Sequence, residues 1–124
     1  MPLQKVLRQG KEIFCLDFYR HNIPLPDGQE LIEDNTLVDD QAFAEVINDI
    51  NLTLIKLFSS GSIYRAYIDD LKVSFYLLVD NKSTFAETFL IEGFDKSQAF
   101  DKLDKFYLNF SDGLWEEQDK RLKA

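Results

Sequence analysis

A chain of 124 residues with 45% hydrophobic and 29% charged side chains can fill one buried core and is not composed like a disordered tail. Its 22 acids against 14 Lys and Arg, a formal net charge of −8, argue against a nucleic-acid backbone or an anionic membrane surface as the main partner. A single cysteine excludes an intramolecular disulfide framework and fits reducing, cytoplasmic surroundings.

Lys5, Arg8 and Lys11 interrupt the first residues, which leaves no signal-peptide apolar stretch. No later run is long enough to span a membrane. Residues 1–124 are therefore expected to form a single domain, without repeats or linkers. Met1 to Gln9 admits two readings: a helix opened by Pro2 and stopped by Gly10, or a strand turned by Arg8-Gln9-Gly10-Lys11. The strand is preferred. Glu12 to Tyr19 alternates around Phe14, Leu16 and Phe18 and reads as a half-buried strand. Pro24, Pro26, Asp27 and Gly28 then place a surface loop.

Phe43, Val46, Ile47, Ile50, Leu54 and Leu57 recur at helical spacing, which predicts a helix over about 38–58 with Asp39 able to cap it. Ile63 to Ile68, Leu71 to Val79 and Thr84 to Glu92 follow as an antiparallel meander at about 63–92. In the middle run Leu71, Val73, Phe75, Leu77 and Val79 occupy alternate positions, so one pleat face is apolar. Asp95 with Gln98 approximates a capping box for a second helix over about 96–110, striped by Ala99, Phe100, Leu103, Phe106, Tyr107 and Phe110. Ser111-Asp112-Gly113 is read as a break before a short C-terminal helix that Trp115 anchors. The expected fold class is α+β: an antiparallel sheet of three to five strands, two main helices on one face, and the short third helix at the edge.

Chemistry is sparse. Cys15 sits between two apolar neighbours in a strand, which raises a thiol pKa, and His21 precedes a proline loop with no third group to orient it. One Cys and one His do not supply a zinc ligand set. From Asp80 no EF-hand loop follows, because Lys82 stands at the third position and the glycine is missing. The five glycines form no phosphate-cradling pattern, and Ser59, Ser60 and Ser62 around Gly61 describe a helix exit, not a nucleophile elbow. The sequons at Asn51, Asn81 and Asn109 are read as accidental. No catalytic, cofactor or metal residue is therefore assigned.

Charge carries the functional expectation. Between His21 and Ile55 stand Asp27, Glu30, Glu33, Asp34, Asp39, Asp40, Glu45 and Asp49, with no Lys or Arg among them. Such a block is usually a solvated surface or helix-start charge, and it can also steer a basic protein. The expected function is a non-enzymatic module of the inhibitor, immunity or antitoxin kind. Its partner residues would be Glu30, Glu33, Asp34, Asp39 and Asp40, with Tyr76 and Trp115 as aromatic anchors. Two alternatives stand beside it: an accessory or chaperone-like subunit binding through those aromatics, and a small enzyme or ligand carrier with a pocket between sheet and helices. Self-association is left open.

Overall fold

Gln9 and Gly10 take φ of 53° and 77°, the paired left-handed residues of a two-residue hairpin turn. That turn joins β1 (Leu3–Arg8) to β2 (Lys11–Asp17), with Leu3 opposite Leu16 and Arg8 opposite Lys11. This computed structural model describes residues 3–17, 25–80 and 82–122, with side chains as far as 112. A short β3 (Glu30–Glu33) lies on the outer side of β1. Next come α1 (Gln41–Ser59), β4 (Tyr64–Ile68), β5 (Lys72–Val79), β6 (Lys82–Leu90) and α2 (Lys96–Leu122). All pairings are antiparallel, in the order β3-β1-β2-β4-β5-β6.

The α+β class and the meander follow the sequence expectation, with three corrections. The sheet has six strands, not three to five, because the first hairpin and β3 extend the meander on one side. Asp40, not Asp39, caps α1: its Oδ1 accepts from the Phe43 amide at 2.9 Å. The expected break at Ser111-Asp112-Gly113 is absent, since α2 runs unbroken to Leu122 and leaves no separate third helix. One interior glycine costs only about 1 kcal/mol against alanine, and α2 needs no left-handed turn at Gly113. Its start is as expected, for Asp95 Oδ1 accepts from the amides of Ser97 and Gln98 at 2.9 and 3.2 Å.

Both helices cover one face of the sheet. Ile47, Ile50, Leu54 and Leu57 of α1 and Leu103 of α2 pack on Leu16, Tyr64, Ala66, Ile68, Val73, Phe75 and Leu77. At about 1.5–3 kcal/mol for each large apolar side chain, this layer dominates the stability of the fold. The Tyr64 hydroxyl reaches through it and donates to the Leu103 carbonyl at 2.7 Å, tying β4 to α2.

The opposite face carries a smaller cluster of Val6, Cys15 and Tyr67, with Ile13, Leu25 and Tyr76 around it. Beside it Arg65, 1% exposed, donates from Nε to Asp17 Oδ1 at 3.0 Å. Breaking a buried pair strands a charge, whereas an exposed pair such as Lys96 with Asp49 at 3.9 Å is screened by water. Arg65→Ala is expected to lower unfolding free energy by about 3–5 kcal/mol. Lys96→Ala is expected to lower it by less than about 1 kcal/mol. Urea unfolding of both variants checks the difference, and similar losses would contradict it.

Candidate partner-binding cleft

Gly28, at φ 89°, closes the Pro26 turn, where the Gln29 amide donates to the Pro26 carbonyl at 3.2 Å. The chain then runs outward as β3, whose four residues are all exposed, including Leu31 and Ile32. Asp34 accepts from the Asn35 amide at 2.9 Å, and the Thr36 amide returns to the Leu3 carbonyl at 2.8 Å. These two bonds re-aim residues 37–40 toward the start of α1.

There the chain forms one wall of a shallow cleft of about 400 Å³, lined by Phe14, Leu37, Val38, Asp39, Asp40, Phe43 and Asp70. Its floor is aromatic: the rings of Phe14 on β2 and Phe43 in the first turn of α1 sit 5.7 Å apart at 50°. The β4–β5 turn supplies Asp70. Asp69 braces that turn by accepting from the amides of Leu71 and Lys72, each at 2.8 Å, while the adjacent Asp70 stays exposed.

Three carboxylates thus surround an apolar floor. Among the described residues, none of Glu30, Glu33, Asp34, Asp39, Asp40 and Asp70 forms an ion pair. Lys5 is the nearby base, its ammonium 6.0 Å from the Phe14 ring centroid, at the outer limit of a cation–π contact. Among the described residues no group of three or more His, Cys, Asp and Glu is placed to hold a metal ion. What the cleft does fit is a long cationic side chain, with its methylene stem on the rings and its charged head toward the carboxylates.

The other sequence-derived candidates lie elsewhere. Glu30 and Glu33 stand on β3 opposite Leu7 and Lys5 of β1, along the sheet edge that leads to the cleft. Tyr76 is on β5, on the helix-free face, half-buried between Tyr67 and Phe85, and does not join the acids. The side chain of Trp115 and all of His21 lie outside the described residues. Asp70 lies outside the base-free block, and Phe14 and Phe43 belong to a strand pattern and a helical stripe; proximity in the fold joins them to Asp39 and Asp40. The serine cluster is a helix exit, as expected, with Ser62 donating from its hydroxyl to the Leu57 carbonyl at 3.2 Å.

The chain is therefore an α+β protein with one helical layer on a six-stranded antiparallel sheet and an acid-rimmed aromatic cleft where the segment entering α1 meets β2 and the β4–β5 turn. No protein-family model, no curated protein and no solved structure matches it.

Cys15 is fully buried, and burial, with the Asp17 charge adding to it, pushes its thiol from 9.0 up to about 12. The thiolate is the reactive form, so a buried thiol raised this far carries much less of it near neutral pH than an exposed one. The native protein should accordingly react with a disulfide reagent at pH 8 orders of magnitude more slowly than the unfolded chain. A stopped-flow absorbance trace in buffer and in denaturant measures the ratio, and comparable rates would show that the thiol is accessible.

Proposed function

We propose that this protein is a non-enzymatic binding module that receives a basic protein at the acid-rimmed cleft and the adjoining β3 edge, in the manner of an inhibitor, immunity or antitoxin-like neutraliser. The observation that carries this reading is the grouping of Asp39, Asp40 and Asp70 around the Phe14 and Phe43 rings, none of the three in an ion pair among the described residues. An unneutralised acidic face attracts a cationic partner over several ångströms and raises its encounter rate. Short-range selection then falls to the aromatic floor, where a lysine or arginine gains roughly 0.5–2 kcal/mol from each well-placed ring.

Glu30 and Glu33 extend the negative field along the edge strand, and the exposed Leu31, Ile32 and Leu37 offer apolar contact beside it. A carboxylate-lined edge also disfavours pairing with another acidic or neutral strand, which biases it toward basic chains. No described helix is long and apolar enough to cross a membrane. The free Cys15 supports a reducing, cytoplasmic setting for this role.

The test uses alternating Arg-Leu peptides as probes, titrated calorimetrically at low salt. Asparagine keeps the capping ability of Asp40 while removing its charge, so Asp39→Asn, Asp40→Asn and Asp70→Asn together should weaken binding about tenfold or more without unfolding the chain. A control with Glu92→Gln, Asp101→Asn and Asp112→Asn removes the same charge from other exposed sites and should cost far less. Equal losses in the two triple variants would reduce the effect to net charge and defeat the assignment.

A further inference from the structure

The helix-free face of the sheet has the opposite electrostatic character. A groove of about 430 Å³ crosses it, its rim carrying Arg8, Lys11 and Lys72 and its floor built from Tyr67, Tyr76 and Phe85. Asp69 is the one acid in its lining, and its Oδ1 already accepts the amides of Leu71 and Lys72. A protein of net charge −8 thus concentrates three bases around a single concavity.

The groove is built rather than incidental. The Arg8 guanidinium carbon lies 4.4 Å from the Tyr67 ring centroid and 5.1 Å from that of Tyr76. Its Nη2 donates to the Tyr76 hydroxyl at 2.6 Å. Tyr67 donates to Gln29 Oε1 at 2.8 Å, and the Tyr67–Tyr76 and Tyr76–Phe85 rings meet edge to face at 5.4 and 5.5 Å. Arg8 is therefore held in one orientation, with part of its planar fork left for a ligand. Because the Tyr76 oxygen accepts from Arg8, its own hydroxyl proton is available, and among the described residues nothing accepts it. This half-buried donor stands beside three cations and can give a hydrogen bond to an acceptor bearing negative charge. At the end of the aromatic row Phe85 is 51% exposed, a ring surface on which a flat group can stack.

We propose that this groove is a binding site for a small organic anion carrying a flat unsaturated ring, an aromatic carboxylate or its phosphate or sulfonate counterpart. The anionic group meets Arg8, the Tyr76 hydroxyl and the ammonium groups of Lys11 and Lys72, while the ring lies along Tyr76 and Phe85. The volume is that of a small-molecule site and not of a protein interface. This site lies on the other face of the sheet from the main helix-covered core and shares no lining residue with the acidic cleft, so either assignment can fail without the other.

The experiment titrates the full chain with 2-naphthoate and follows backbone amide resonances by heteronuclear NMR. Saturable shifts are expected at Lys11, Ser74, Tyr76 and Thr88, with little change at Asp39 or Phe43. Lys11 and Lys72 are exposed at strand ends, so Lys11→Glu with Lys72→Glu should leave the fold intact and weaken binding about tenfold or more. Phe85→Ala should weaken naphthoate but not inorganic phosphate. The proposal is overturned if naphthoate gives no saturable shift in the groove, if 2-naphthylmethanol binds equally well, if the charge-reversed variant binds unchanged, or if hexaglutamate binds there more tightly than naphthoate.

Discussion

Arg65 and Asp17 are direct cross-strand partners on β4 and β2, and the rest of the sheet depends on that pairing. β4 is buried at every residue, so its two faces must meet two unlike surroundings: Tyr64, Ala66 and Ile68 enter the helix-covered core, while Arg65 and Tyr67 enter the smaller cluster opposite. A slip of one residue would turn Arg65 into the apolar layer under α1, where no carboxylate waits. Burial alone would hold the Asp17 carboxyl above its ordinary value, and the Arg65 charge works against that rise. The pair thus specifies register more than it adds stability, and with register set, the side of the sheet on which every other side chain appears is set too.

Register in turn separates the charges. On the helix side and at the outer edge, residues 30–40 lead acids from β3 to the mouth of α1, and the β4–β5 turn adds Asp70. On the other side, odd and even positions of β1, β2 and β5 deliver Arg8, Lys11 and Lys72 to the rim of one groove. The protein is acidic overall, yet this cleft and this groove differ in sign. The pleat turns Arg8, Lys11 and Lys72 to the helix-free face, while the acids of the cleft come from the segment entering α1 and from the β4–β5 turn.

Legibility in the sequence tracks the strength of the local pattern. β5 was clear because Val73, Phe75 and Leu77 alternate with more polar neighbours, and α1 because its stripe spans four turns. β3 was not, for its four residues are all exposed and it exists only because β1 offers an unpaired edge. The end of α2 is not legible, because Gly113 carries no local sign of whether it stops a helix or is carried through one. In the cleft, Asp39 and Asp40 were legible as members of a base-free block. Tyr76 is expected beside them as an aromatic anchor, but it lies on the helix-free face of the sheet, half-buried and bonded to Arg8.

From the amino-acid sequence alone came the α+β class, the meander, the first long helix, the apolar setting of Cys15 and the local origin of the charge imbalance. These properties are carried by near neighbours along the chain, through periodicity and composition. Only the tertiary structure decided that Asp70 joins Asp39 and Asp40 on a Phe14–Phe43 floor, and that Arg8 is clamped between Tyr67 and Tyr76. Those residues are far apart in the chain and meet because antiparallel pairing and helix packing bring distant backbone together, an outcome of the whole buried core that no short window contains.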